Sequence, residues 1–476
     1  MPVEINTLDL LRDATRGTEF DGKLYIVGGY VRDKLLGRGA KADDIDLVIE
    51  GKDKGMEVAR LLWRKRIADH PPVEFPTFGT AMVHVGGSSA EKGAQVELVT
   101  ARAETYRQGS RKPIVTPGTL ATDALRRDFT VNTFLENLHT GKIVDPTGKG
   151  RADLDAGILR TPLDPGITFT DDPLRMLRAC RFAAKLGFEI EPETYAALTT
   201  NAFRLSSEHG ISFERIHDEL VKTLMAPGAS RGLEQMRETG LLAQFAPELV
   251  AMYGVTQNRF HLYDVWQHTL VALNNLPPDA PLLVRLAVLL HDVGKPGTRT
   301  EDTATGDVHF YEHEDLGAEI ARKLLTRLRF PTEEIEAVAR MVSLHMRYGA
   351  YQPDVWTDAS VRRLIRAVGE HRTDLFTIAR ADIAACNTED FPTADLDGLQ
   401  ERMEQIEQEA HITTVTSPLT GQEIMTLLGI KPGPAIGKIK DALTDLVVAG
   451  DLGPDDKEKA VAVAEGLYGN LTNVRK

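Results

Sequence analysis

The sequence predicts an α+β chain, in which a small mixed β-sheet with flanking helices is followed by wholly helical domains. Three observations carry this reading. Residues 1–148 alternate short β-rich runs, such as Val83-His-Val85, Gln95-Val-Glu-Leu-Val99 and Lys142-Ile-Val-Asp145, with helical ones. From 149 the apolar residues fall at three- and four-residue spacing, as in Leu174, Leu177, Ala179, Phe182 and Leu186. The chain has 476 residues, too many for one core. At about 150 residues per domain, roughly three units are expected.

The first informative element is Leu24-Tyr-Ile-Val-Gly-Gly-Tyr-Val-Arg-Asp33, read as a strand, a double-glycine turn and a helix. Gly28 and Gly29 let backbone N–H groups approach an anion, and Arg32 sits one turn inside the helix. Asp44-Ile-Asp46-Leu-Val follows as a second strand. Alternation along a strand puts Asp44 and Asp46 on one side, with Ile45 and Leu47 turned to a core. Two acids side by side suit Mg²⁺. Either half alone also fits an ordinary turn or a solvated strand end; the order and short spacing of the two make the functional reading. Glu97, in the β-rich run 95–99, is the candidate for a third acid on a neighbouring strand.

Arg126-Arg-Asp-Phe-Thr-Val-Asn132 comes next, with Asn132 placed one helical turn beyond Asp128. In Asp171-Asp172-Pro-Leu-Arg175, proline after an acidic cap signals a helix start, and Asp172 and Arg175 are expected on one helix face. A carboxylate acceptor beside a guanidinium donor suits the Watson–Crick edges of both cytosine and adenine. Further on, His268, His291-Asp292 and Asp382 are spaced through helical sequence, with His313 and His345 between them. Imidazoles and carboxylates together suit Mn, Fe, Ni or Mg and the activation of water. His313 and His345 are candidates for a second metal. The last segment places two helices around Lys431-Pro-Gly, a turn that fits either phosphate binding or a plain connection.

These blocks resemble, in order, the nucleotidyltransferase superfamily that includes DNA polymerase β, and more narrowly its class II branch of tRNA CCA-adding enzymes and bacterial poly(A) polymerases. G-G-x-V-R-D with D-x-D is similar to the first motif, and R-R-D-F-T-x-N to the second. Asp145-Pro-Thr-Gly148 with Asp153-Leu154 is similar to the third, Asp171 to Arg175 running on to Phe188 to the fourth, and Ser212-Phe-Glu-Arg-Ile216 with Glu219 to the fifth. The resemblance spans about the first 225 residues. It implies a polymerase-β-like nucleotidyltransferase head at 1–148, in which Asp44 and Asp46 hold Mg²⁺ and are catalytic. A nucleotide- and RNA-binding neck is expected at 149–256. Gly28, Gly29, Arg32, Arg127, Asp128, Asn132, Asp171, Asp172, Arg175 and Arg178 are the implied nucleotide-binding residues, with Asp172 and Arg175 selecting CTP and ATP. Relatives often carry Glu where this chain has Asp171.

Residues 257–395 resemble an HD domain, a metal-dependent phosphohydrolase fold, with His268, His291, Asp292 and Asp382 as the implied ligands. A helical, tRNA-holding tail is expected at 396–476. The implied activity is addition of C and A to the tRNA 3′ end, whether CCA, CC or A alone. The alternatives are a poly(A) polymerase and an HD phosphodiesterase with a nucleotide-binding head.

Composition narrows the partners. The net charge of −14 excludes a generic nucleic-acid coat, so tRNA requires basic residues gathered locally. Candidates are Arg107, Arg111, Lys112 and Lys431, although a solvated face or a plain turn is the commoner explanation of such residues. Two distant cysteines, Cys180 and Cys386, give neither a disulfide framework nor a cysteine zinc site. No run nears the roughly 18 apolar residues of a membrane span, and Met1-Pro-Val-Glu-Ile-Asn lacks signal-peptide character. The expectation is a cytoplasmic protein, monomer or homodimer, with no membrane partner.

Overall fold

A computed structural model describes residues 6–39, 44–86, 93–105, 114–206, 211–387, 394–409, 417–449 and 451–473. The chain divides into two compact units, Met1–Pro247 and Glu248–Lys476.

The first unit opens with the expected α+β pattern. Its strands are β1 (Tyr25–Val27), β2 (Asp44–Ile49), β3 (Val73–Phe75), β4 (Thr80–Val85), β5 (Ala94–Thr100), β6 (Arg102–Thr105), β7 (Ile114–Pro117), β8 (Leu135–Asn137) and β9 (Ile143–Val144). Seven form one mixed sheet in the order β3-β4-β5-β2-β1-β8-β9, and β6 pairs with β7 as a separate hairpin. Within the large sheet β2 and β5 run parallel, and the other neighbours are antiparallel. The alternation in β2 is as the sequence reads: Ile45 and Leu47 are buried while Asp44 is exposed and Asp46 half-buried. Val96 and Leu98 of β5 join Ile45 and Leu47 in the core. The helix Lys54–Arg64 closes that face with Met56, Val58, Ala59 and Leu62.

Helices dominate from Gly150. The helix Leu174–Leu186 buries Leu174, Leu177, Ala179, Phe182 and Leu186, and Cys180 beside them, against the helices Phe213–Leu224 and Ala229–Glu238. One expected element differs. The turn after Asp128 is a single 3₁₀ turn, Thr130–Asn132, because Phe129 is extended and buried and starts no α-helix.

In the second unit the helices Val265–Asn274, Leu282–Leu290, His313–Arg327, Thr332–Leu344 and Arg372–Ile383 pack together. The helices Gly421–Leu428 and Pro434–Ala449 flank Lys431, and with a third, Lys457–Asn473, they share a core of Ile424, Ile439, Leu443 and Ala460. Among the described residues no helix is long and apolar enough to cross a membrane.

Candidate active sites

The first site is built where β1 ends. Gly28 adopts φ 76°, ψ −140°, a conformation essentially restricted to glycine, and the helix Gly29–Leu35 follows. A Cβ on Gly28 would lie 3.2 Å from Asp46 Oδ2 and 3.7 Å from Arg127 Nη1, so the missing side chain lets the turn sit directly against both charges. In the sheet register Asp46 faces Val27 on one side and Glu97 on the other, and Asp44 lies across from Gln95. Three carboxylates thus share one face of β2 and β5, with Glu97 in the position expected of the third acid. Burial pushes the Asp46 carboxyl up from its ordinary value; Asp44 adds to the shift and Arg127 opposes it. Burial also raises Glu97, helped by Asp46 and then Asp44. Crowded oxygen ligands whose negative form is strained in the absence of a cation fit a hard divalent ion.

Arg127 and Arg126 are held by a residue that sequence reasoning missed. Asp123, 1% exposed, accepts from Arg126 Nε at 2.9 Å and Arg127 Nη2 at 3.2 Å. Its spacing of three and four from the two arginines on one helical turn was the available signal. Asp128, Asn132, Arg32 and Arg178 form a continuous network. Arg178 donates to Asp128 Oδ2 from Nε and Nη2 at 2.8 and 2.6 Å, Asn132 Nδ2 donates to Asp128 Oδ1 at 3.0 Å, and Arg32 Nη1 donates to Asn132 Oδ1 at 2.6 Å. Burial alone would raise Asp128, but Arg178 and Asn132 outweigh it and hold the carboxyl down at about 2. Arg32 is 2% exposed, so it acts within this network. Glu219, which the fifth motif contains without a role assigned from sequence, accepts from Arg181 Nε at 2.6 Å and lies 3.6 Å from Arg178 Nη1. The guanidiniums of Arg32, Arg178 and Arg181 surround the Phe182 ring at 5.2, 5.4 and 4.3 Å from its centroid.

The expected single face for Asp172 and Arg175 is corrected by the structure. Asp171 ends one helix, Pro165–Asp171, and Arg175 lies in the first turn of the next. Asp172 stands between them with extended backbone, φ −144° and ψ 100°. The following Pro173 disfavours helical geometry at Asp172 and overrides the three-residue spacing. Asp172 Oδ1 accepts from Leu174 N at 3.2 Å, a helix cap, and Oδ2 from Arg215 Nη2 at 2.9 Å. Arg175 donates to the carbonyls of Arg126 at 2.5 Å and Thr168 at 3.4 Å. Arg107, Arg111 and Lys112 lie outside the described residues; Lys431 is exposed.

In the second unit the structure brings together all six expected ligands. His268 comes from the helix Val265–Asn274, His291 and Asp292 follow the helix Leu282–Leu290, and Asp382 lies on Arg372–Ile383. His313 opens its helix, and His345 follows Thr332–Leu344. Gly294 permits this assembly, since a Cβ there would lie 2.1 Å from the His313 carbonyl oxygen.

Among the described residues three triads of potential ligand atoms form: His268/His291/Asp292 and Asp292/His313/His345, which share Asp292, and His261/His268/Cys386, which shares His268 with the first. Asp292 Oδ2 is 3.2 Å from His291 Nε2, and Oδ1 is 3.5 Å from His313 Nε2 and 3.8 Å from His345 Nε2. His268 Nε2 lies 2.8 Å from Asp382 Oδ1. The Nδ1 atoms of His291, His313 and His345 point at backbone carbonyls at 2.7, 2.8 and 2.7 Å, which turns each Nε2 toward the cluster.

Asp292 Oδ1 is buried without a hydrogen-bond partner, as suits a carboxylate oxygen placed for a cation. Burial works against charge on His291, yet Asp292 and Asp382 prevail and raise it to about 10. Burial and then His291 push His345 down to about 3, leaving it a neutral donor. Lys295, unassigned from sequence, donates from Nζ to Asp292 Oδ2 and Gln257 Oε1, each at 2.7 Å. A cavity of about 490 Å³ opens onto Asp292, Lys295, His313 and Asp382.

Comparison with known proteins follows this division. Residues 24–160 match the family described as Poly A polymerase head domain, 187–252 the family described as "Probable RNA and SrmB-binding site of polymerase A", and 260–416 the HD domain. Together with the fold, these define a polymerase-type nucleotidyltransferase carrying an HD domain. The A-adding tRNA nucleotidyltransferase of Deinococcus radiodurans is 36% identical over 352 residues, 72% of this chain and 79% of that one. The CC-adding tRNA nucleotidyltransferase of Thermus thermophilus is 32% identical over 445 residues, 91% and 92% of the two chains. This chain belongs to the tRNA nucleotidyltransferase and poly(A) polymerase family. The solved Bacillus stearothermophilus CCA-adding enzyme, determined with CTP, shares the fold at a TM-score of 0.66, with 24% identity and 99% and 100% of the two chains covered.

Proposed function

We propose that this chain adds C and A, as CCA or part of it, to the tRNA 3′ end from CTP and ATP without a nucleic-acid template, releasing pyrophosphate. The observation that carries this is the carboxylate face of β2 and β5, with Asp46 in register with Glu97 and packed against the Gly28 turn and Arg127. Asp44 and Asp46, with Glu97, would hold Mg²⁺, which when bound stabilises charge on the attacking and leaving oxygens. Arg127, anchored by Asp123, offers a fixed positive charge to the phosphates. Asp172 and Arg175 select the base. Arg215 and the carbonyls of Arg126 and Thr168 now hold these two side chains, so nucleotide binding exchanges those partners. The buried Asp128, Asn132, Arg32 and Arg178 network fixes the start of the helix that carries Arg175. The relatives named for adding A and for adding CC are of similar identity, and that similarity supports a tRNA substrate without dividing the steps. The head is assigned to 1–148, the neck to 149–256, the HD domain to 257–395 and the tail, with Lys431 toward RNA, to 396–476.

A second reading concerns the HD domain and rests on the Asp292-sharing triads. His268, His291, Asp292 and Asp382 would hold one first-row or Mg²⁺ ion, and Asp292, His313 and His345 a second, for hydrolysis of a phosphate ester. The test of both readings is incorporation of labelled CTP and ATP into tRNA, with phosphoester hydrolysis assayed in parallel. Asp44→Ala must abolish the first and spare the second, and Asp292→Ala must do the reverse. Loss of both activities in either variant would contradict separate sites.

A further inference from the structure

A groove of about 630 Å³ in the second unit is lined by Arg340, Arg347, Arg363 and Arg366, with Trp356 in its wall. The arginines come from three helices, Thr332–Leu344, Met346–Gly349 and Asp358–Val368, so the fold gathers them where the sequence does not. Arg366 is neutralised by Asp441 and Asp445 of the helix Pro434–Ala449. The other three are exposed and, among the described residues, have no carboxylate within ion-pair distance. Arg340 donates to the Ala367 carbonyl at 2.6 Å and Arg363 to Ser360 Oγ at 3.3 Å, contacts that orient guanidiniums without cancelling their charge. The Trp356 indole is fixed by donation to the Ala350 carbonyl at 3.1 Å and edge-on packing with Tyr351 at 5.6 Å.

We infer that this groove binds the phosphodiester backbone of RNA, with Arg340, Arg347 and Arg363 on phosphates and Trp356 against a base. A fixed indole beside guanidiniums without carboxylate partners suits unpaired nucleotides better than an acidic peptide, whose carboxylates offer no ring to stack. In a chain of net charge −14 a polyanion is repelled by most of the surface, so three uncompensated cations in one groove define where it settles. Arg347 belongs to the same four-residue helix as Met346 and Gly349, which line the HD cavity, so RNA in the groove would run beside that cavity. The inference rests on tRNA being the substrate.

The test is anisotropy of labelled tRNA titrated with the full chain across a salt series, comparing R347E/R363E with R347K/R363K. For the charge reversal, affinity is expected to fall at least about tenfold and the slope of log K against log salt to flatten by about 1.5, from two phosphate contacts at 0.7 to 0.9 each. The lysine variant should keep most of both. The KM for tRNA should rise in step, while the KM for CTP and ATP stays put. Ultraviolet crosslinking of thiouridine-bearing tRNA to the unmodified chain tests the same site without substitution and should label the segment containing Trp356. Unchanged affinity and slope, crosslinks confined to residues 1–247, or polyglutamate competing as well as RNA would each overturn the inference. Failure of the unmodified chain to extend tRNA it binds would instead count against the proposed substrate.

Discussion

Asp46 and Glu97 carry raised pKa values because burial opposes ionisation of both, with Asp44 adding to the shift of Asp46 against the pull of Arg127, and Asp46 and Asp44 adding to that of Glu97. For activity, protonation competes with the cation, so at limiting Mg²⁺ the acid limb of kcat/KM for incorporation should lie above the ordinary carboxylate range and move to lower pH as Mg²⁺ is raised. Glu97→Gln removes one of the repelling charges. It should shift that limb to lower pH and cut kcat by about 10²- to 10³-fold, the scale of one lost electrostatic contact in a transition state. For stability the sign is opposite. A carboxyl raised in the folded state makes folding less favourable as pH rises through its window. Without metal, Glu97→Gln should therefore melt at or above the parent at neutral pH, and that advantage should vanish in acid. Gly28→Ala is a companion test. Its strained backbone costs about 1–3 kcal/mol. Because its Cβ would press on Asp46, incorporation should fall further than melting temperature.

At the scale of elements, the buried network ties the strand-rich start of the chain to the helix Leu174–Leu186. Asp128→Asn leaves the half-buried Arg178 partly unpaired and is expected to lose about 2 kcal/mol in denaturant titration, the scale of lost hydrogen bonds to a charged group. Since Asp128 is held down at about 2, its contribution is present above the ordinary carboxylate pKa and is lost as pH falls towards 2. The parent should show this acid loss and Asp128→Asn should not. Much of this level was legible in the sequence. The period of two in Asp44-Ile-Asp46-Leu exposed the carboxylate face directly. Glu97 could be named as a candidate, but its register with Asp46 depends on a parallel pairing that no local pattern encodes. Asp123 escaped, and Glu219 was named in a motif without its partner, because a buried carboxylate in a helix reads as a surface residue until its arginine is seen. Asp172 was misplaced because Pro173 acts on the residue before it more strongly than helical spacing does. The histidines were legible in type and order, while the sharing of Asp292 emerged only when four helix ends converged.

For the whole molecule, the carboxylate face and the Asp292 cluster lie in different compact units, and each has its own acids. Asp292→Ala removes the shared ligand and should therefore lose both ions of the second unit together, read by metal content after dialysis, with nucleotide incorporation left within about twofold. His345→Ala should lose one ion and keep the other, since His268, His291 and Asp382 remain. The central claim is that the carboxylate face of β2 and β5 directs template-free addition of C and A to tRNA. The most direct test gives the chain tRNA transcripts ending at the discriminator base, at C and at CC, each with labelled CTP or ATP and Mg²⁺, beside Asp44→Ala. The account predicts base-selective extension that stops at or before CCA and disappears in the variant. Unlimited A tails on any RNA, incorporation of GTP or UTP at similar rates, or full activity in Asp44→Ala would contradict it.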